Sequence, residues 1–388
     1  MAQKTNYTKN GNEYYRVTVT VGRDSEGKLI RKEFYGKGKK EAEAKRDEYL
    51  NGIKNGLNVD FKDAILGELF RAWLFEVVKL SVKPSTFDKY EGIYRNYIKD
   101  SEIYGLKINL TKSIQIQRYY NKLYKSGKSS SVIKNLNKLL KAFFNYAVNE
   151  GYLMRNPCVK IVIPDANKEA KPEIETFTDE EIKKLTEVLN KHRLKALFLL
   201  DFGTGLRQGE LLGLKWIDID FEKKELKVQR TIKQVTIIDG DGNREYKTIE
   251  QIPKTKNSIR TVPIPSSLIP VLEEYKNRQK EEKLKAGPSY LNDIKKGYVF
   301  TTELGTTIDA RNLTRIYKKL LDKAGIKYKK FHAIRHTFAT KLFERGIPLK
   351  TVSLLLGHSN ISITADTYTH VIPKVKTNAV ETLNDLFI

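Results

Sequence analysis

The spacing of apolar residues changes twice along this 388-residue chain, so no single layer of secondary structure can satisfy all of it. Between residues 5 and 36, Tyr15, Val17, Val19 and Val21 alternate with Arg16, Thr18 and Thr20. That two-residue period belongs to a strand with one apolar face and one polar, basic face. Asn10-Gly11 and Asp24-Ser25-Glu26-Gly27 supply turns. Leu29 to Tyr35 extends the sheet and Lys39 to Gly52 has the composition of a surface helix, so a small β-β-β-α module is expected over residues 1–60. From Phe61 to about Ile163 the period becomes helical, with stripes at Leu66, Leu69, Phe70, Trp73 and Val77, at Tyr90, Tyr94 and Tyr97, and at Leu136, Leu139, Leu140, Phe143, Phe144 and Ala147. About four packed helices are expected over 61–165, with the tyrosines in their core. Serines and lysines in KLSVKPSTFDKY and YKSGKSSSVIK stand where they can cap helices or meet phosphates.

Residues 164–178, PDANKEAKPEIETFT, contain two prolines, many charges and few apolar side chains, the composition of a linker. Beyond them, helices are expected at Asp179–Asn190, Leu194–Phe202 and Arg207–Leu214. Strands are expected around Ile217–Phe221, Leu226–Val235 and Arg260–Ile264, and helices again in the last third. The expected fold is a multidomain α+β chain, with a mostly α-helical domain over 166–388 built around a small antiparallel sheet. No internal repeat or low-complexity tract interrupts it.

Charge narrows the function. Lys and Arg number 71 against 47 Asp and Glu, a net +24, on a chain that is 40% hydrophobic. A disordered basic tail is excluded, and a field of this size calls for a polyanionic partner, nucleic acid first. Residues 61–165 carry 18 basic and 9 acidic side chains and are the most basic segment for their length. The one cysteine, Cys158, rules out an internal disulfide and any zinc site with two cysteine ligands. No signal-peptide-like segment opens the chain and no stretch approaches the roughly 18–20 apolar residues of a membrane span, so a cytoplasmic protein without membrane contact is expected.

Chemistry gathers after residue 200. In TGLRQGELLGL, Glu210 lies three residues after Arg207 on one helix face and can hold it in place. PKTKNSIRTVPIP puts Lys254 and Lys256 at a turn entering a strand, with Arg260 beyond. FHAIRHTFATKLFERG offers His332, Arg335 and His336; LKTVSLLLGHS ends at Gly357 with His358 just past it; ITADTYTHV contains Tyr368 and His370. His332 and His336 stand at i, i+4, but no Glu follows His332 and no further ligand type clusters nearby, so neither a metal nor another cofactor is expected. Taken together, Arg207, Lys254, His332, Arg335, His358 and Tyr368 suit phosphoryl transfer. Two guanidiniums can clamp the non-bridging oxygens of a phosphodiester, a tyrosine can attack phosphorus, and a lysine or histidine can protonate the leaving alkoxide.

These motifs, in this order over 204–370, resemble those of the tyrosine recombinases, and among them the phage and conjugative-transposon integrases. The resemblance rests on TGLRQGELLGL, the KT…R…VP segment, His332-Ala333-Ile334-Arg335, Leu356-Gly357-His358-Ser359 and DTYTH, and extends weakly to an arm-DNA-binding module at 1–60 and a helical, SAM-like core-DNA-binding domain at 61–165. It implies a site-specific recombinase that cuts and rejoins DNA through a 3′-phosphotyrosine on Tyr368. Arg207 and Arg335 would hold the scissile phosphate and Lys254, with Lys256 as substitute, would be the general acid. His332 would assist proton transfer, and His358 would bond the phosphate or orient the tyrosine. Glu210 would support Arg207, while His336 and His370 would pack or hydrogen-bond locally. The implied partners are double-stranded core and arm attachment sites, three further copies in a homotetramer on DNA, and accessory bending or excision factors. Arg16, Thr18 and Arg31 are arm-contact candidates, and residues 378–388 could dock on a neighbouring protomer or on their own domain. Two rival readings remain: a non-enzymatic helix-turn-helix regulator built on ERGIPLKTVSLLLGHSNIS, and a type IB topoisomerase or chromosome-dimer resolvase using the same chemistry.

Overall fold

The computed structural model describes residues 5–9, 11–23, 28–54, 64–164, 174–252, 259–291 and 297–368. The Asp24–Gly27 turn, Lys254, Lys256, His370 and 378–388 lie outside the described residues. The chain divides into two compact units, residues 1–168 with 238–243, and residues 169–237 with 244–388.

The N-terminal module is an antiparallel sheet in the order β1 (Tyr7–Lys9), β2 (Asn12–Arg23), β3 (Leu29–Gly36), followed by α1 (Lys39–Lys54). Thr18 stands opposite Glu33 and Thr20 opposite Arg31, with a bulge between Thr20 and Gly22. Because side chains alternate across a strand, this register puts Arg16, Thr18, Thr20, Arg31 and Glu33 on one face. On the other face Phe34 packs 5.2 Å from the ring of Tyr49, which α1 brings over the sheet with the buried Ala42.

The helical part comprises α2 (Leu66–Ala72), α3 (Lys79–Ser81), α4 (Pro84–Tyr97), α5 (Ser113–Lys125) and α6 (Ser130–Asn149). α2 runs into α3 through a π-helical stretch, Trp73–Val78. The wider turn shifts the phase of the stripe, so Leu74 and Val78 enter the core while Val77, expected there, is 44% exposed. Tyr94 is buried against Phe70, with Tyr90 and Tyr97 at the margin of the same core. Ser129 caps α6, whose buried face is the expected Leu136, Leu139, Leu140, Phe143, Phe144 and Ala147.

The second unit begins with α7 (Asp179–Leu189), α8 (Lys195–Thr204) and α9 (Gln208–Leu212), then β4 (Ile219–Asp220), β5 (Glu225–Val228), β6 (Thr231–Ile238), β7 (Arg244–Gln251) and β8 (Arg260–Pro263). It closes with α10 (Ile269–Ala286), α11 (Ala310–Lys323), α12 (Ala333–Glu344), α13 (Leu349–Leu356) and α14 (Ile361–Thr367). β4, β5 and β8 form one antiparallel sheet and β6 pairs with β7 in another. Two expectations need correction, and one strand was not expected at all. The strand at Leu226–Val235 is two strands in different sheets, because the Asp218 carboxylate binds the side chains of Gln229 and Arg230 and pins the bend between them. Most of Ile217–Phe221 is not strand, since Lys215 N–H donates to Asp218 Oδ2 across a 3₁₀ turn at Trp216–Asp218. β7 carries no amphipathic period and is mostly exposed, so its pairing with β6 left no mark in the pattern of the sequence.

The main core of this unit is apolar, from Leu197 and Phe198 on α8 to Leu313 and Tyr317 on α11. A smaller cluster of Ala339, Phe343, Val352, Leu356 and Tyr368 packs α12 to α14 together. Among the described residues no helix is long and apolar enough to cross a membrane.

Candidate active site

Five of the six expected site residues fall in described segments and converge. Gly205, at φ +60°, ends α8 in the left-handed conformation, and the turn it makes places Arg207 at the N-cap of α9. Glu210 lies on the first turn of α9. Its Oε1 accepts from Arg207 Nη1 at 2.7 Å and its Oε2 from the Arg207 backbone N–H at 3.0 Å, the expected support. Oε2 also accepts from Arg260 Nη2 at 2.9 Å, and Arg260 Nε donates to the carbonyl of Leu355 at 2.7 Å. Arg260, noted in the sequence only as lying beyond the lysines, is thus built into the site. The one sign of it was its place in the KT…R…VP segment, because its partners lie 50 and 95 residues away. Burial alone would raise the Glu210 carboxyl, but the hydrogen bond and charge of Arg260, then Arg207, outweigh it and hold it near about 2.

Arg335, on the first turn of α12, is 2% exposed. Its Nη1 donates to the carbonyl of Gly205 at 2.8 Å and its Nη2 to that of Leu356 at 2.6 Å. These carbonyls stand at the C-termini of α8 and α13, where helix dipoles favour a cation. Among the described residues no carboxylate pairs with it. Burial, then the charge of Arg207, pushes its pKa below the usual arginine range. Arg207 keeps 39% of its side chain exposed, so one guanidinium is open and the other is held inside.

His332 caps the same helix. It is open to solvent on one side, yet the atoms packed around its ring, with His336, Arg335 and Arg207, push its pKa down to about 4. Gly357, at φ +66°, ends α13 with Arg260 so close that a β-carbon would stand 2.9 Å from its Cδ. His358 follows, its Nδ1 at 2.7 Å from Thr364 Oγ1 and its pKa pushed down to about 4 by burial and the arginines. The segment that could read as helix-turn-helix does form two helices, α13 and α14, but it spends them on carrying His358 and Tyr368 to the cluster.

Tyr368 ends α14 and is 1% exposed. Burial pushes its hydroxyl up to about 12 against the opposing charge of Arg335. That hydroxyl lies 2.9 Å from Nδ1 of His336. Local hydrogen bonding was expected of His336, but its partner was not, since 32 residues separate the two. Lys254 and Lys256 lie outside the described residues.

Arginines, histidines and a buried tyrosine gathered in this way have the chemistry that transesterification at a phosphodiester would need. Comparison with known proteins gives the family. Residues 175–374 match the phage integrase family and residues 65–124 the phage integrase N-terminal SAM-like domain. The chain is 77% identical, over the whole of both proteins, to the tyrosine recombinase XerC-like of Caldanaerobacter subterraneus subsp. tengcongensis. It is 29% identical to the ICEBs1 integrase of Bacillus subtilis (strain 168), over 79% of this chain and 80% of that one. Its fold is similar to that of the Tn1549 transposon integrase bound to transposon right end DNA, with TM-score 0.68, 21% identity and coverage of 82% and 99% of the two chains. A lambda integrase tetramer bound to a Holliday junction gives TM-score 0.54 at 17% identity, over 93% and 96%. The chain belongs to the phage integrase family: it is a tyrosine recombinase, an enzyme of site-specific recombination that cleaves and rejoins DNA by transesterification through a tyrosine.

Proposed function

We propose that this recombinase is the integrase of a mobile element, inserting and excising it between double-stranded attachment sites as a homotetramer on DNA in the cytoplasm of a bacterial host. Tyr368 is the nucleophile: its oxygen bonds to phosphorus, the 5′-oxygen leaves, and the phosphotyrosine keeps the bond energy for rejoining. Arg207 and Arg335 hold the non-bridging oxygens, Lys254 protonates the 5′-oxygen, His332 assists proton movement and His358 bonds the phosphate. The observation that carries this reading is the clustering of Arg207, His332, Arg335 and His358 in one neighbourhood that reaches, through Arg335 and His336, a tyrosine 1% exposed. Arg335 lacks a carboxylate partner among the described residues, and a phosphate would supply the missing anion.

The integrase role draws support from the N-terminal module, whose face with Thr18 and Arg31 is exposed while Arg16 pairs with Glu33 at 3.2 Å, and from the likeness to the ICEBs1 integrase. We assign residues 1–60 to arm sites, 61–165 to the core site and 166–388 to catalysis. Chromosome-dimer resolution is the second reading, favoured by the XerC-like name of the 77% identical relative.

The test incubates the chain with duplex fragments flanking its gene, denatures them, and looks for a covalent protein–DNA band. The expected band is absent with Tyr368→Phe. Arg31→Glu is expected to lower recombination of long fragments more than cleavage of a short core fragment; equal effects on both would favour resolution.

A further inference from the structure

The hydroxyl of Tyr368 has to lose a proton when its oxygen attacks, and the site offers two histidines one helical turn apart. His332 faces the open side, and nothing in the described residues bonds it to the tyrosine. His336, on the same helix, has Nδ1 2.9 Å from the hydroxyl. The phenol ring is fixed there by Phe343, 5.4 Å between centroids, and by Ala339, Val352 and Leu356. The His332 ring meets that of His336 edge-on at 4.7 Å and 85°, limiting its rotation. With its hydroxyl pushed up to about 12, the tyrosine stays protonated near neutrality and needs an acceptor at the moment of attack.

We propose that His336, rather than His332, is the base that takes the proton of Tyr368. In the forward step the Oη–H proton passes to His336 Nδ1, the Oη–P bond forms and the P–O5′ bond breaks. The departing 5′-oxygen takes its proton from the opposite side of phosphorus, from the general acid of the proposed function. In rejoining, His336 returns the proton to Oη as the phosphotyrosine breaks. The acceptor role requires the neutral imidazole to carry its hydrogen on Nε2. The assignment rests on Tyr368 being the nucleophile.

The experiment measures single-turnover adduct formation on the flanking-DNA fragment with oxygen, and then sulfur, at the bridging 5′ position. Sulfur leaves as a thiolate and needs no proton, so a defect in the general acid is relieved by it and a defect in the base is not. His336→Ala is expected to slow the step about 100-fold or more on both fragments. Added imidazole should recover part of the loss. His336→Asn, which keeps an acceptor near the Nδ1 position but carries no proton, should stay slow while binding the fragment normally. Wild-type speed in His336→Asn would reduce His336 to a positioning residue and overturn the proposal, as would a loss confined to the oxygen fragment. A Tyr368-dependent adduct untouched by His336→Ala overturns the base alone. Absence of any adduct in the wild-type chain refutes nucleophile and base together.

Discussion

In the helical segment from residue 64 to 164, the buried side chains are aromatic and aliphatic apart from the Cys158 thiol, with Glu91 and Thr111 the polar exceptions. In the unit that carries Tyr368, Asp201, Glu210, Asp218, Arg335, Thr337, Thr340, Ser353 and Thr364 are buried as well. The first segment spends its burial on cohesion. The second accepts groups whose removal from water costs several kcal/mol each, offset where partners exist, as for Glu210, and left open where one does not. Among the charged groups of that set, Arg335 and Asp201 are open cases: a guanidinium bonded to carbonyls and a carboxyl whose Oδ1, like the Thr340 hydroxyl, has no hydrogen-bond partner among the described residues. The contrast separates a segment whose interior is almost wholly apolar from one that keeps charged and polar groups inside.

Three substitutions sharpen or break this contrast. Glu210→Gln leaves two arginines facing each other and is expected to cost about 3–5 kcal/mol in urea unfolding at pH 7. The Glu210 carboxyl is held near about 2, below its ordinary range, so its contribution is present above that range and lost as pH falls toward 2. The gap between wild type and Glu210→Gln should therefore narrow in acid, and a gap constant from pH 7 to 3 would show that charge is not its source. Leu140→Ala, on α6, should cost about 2–5 kcal/mol of stability through lost burial and a cavity, with no change in adduct chemistry on bound DNA below the unfolding transition. A catalytic defect there would erase the division of labour. Asp201→Asn should stabilise by about 1–3 kcal/mol. Burial, then Glu210, raises the Asp201 carboxyl well above its ordinary range while Arg335 opposes; its stabilising protonated form is fully present in acid and its contribution is lost as pH rises. The gain from Asn should thus grow from about pH 4 upward, and a gain largest in acid would mean that the carboxylate is paired after all.

Local regularities were legible in advance. The stripe of α6, the alternation of β2, the glycine end of α13 and the Arg207–Glu210 pair all depend on neighbours within a turn or two, where spacing alone fixes which side chains meet. Legibility failed where a local preference was overridden. The π-helical stretch moved Val77 out of the core, Asp218 broke a strand that looked continuous, and β7 formed from an unpatterned, exposed segment because β6 was there to pair with it.

The sequence by itself determined the α+β class, the basic character and the helical stripes, because composition and short-range periodicity carry that information, and its motifs, through the resemblance they bear, named the ordered set of arginines, histidines and tyrosine. Only the tertiary structure decided that Arg260 shares Glu210 with Arg207, that Arg335 is stabilised by helix-end carbonyls, and that the hydroxyl of Tyr368 rests on His336. Each of these is a contact between residues from 21 to 130 positions apart, and no period in a sequence encodes where chain segments so distant will meet.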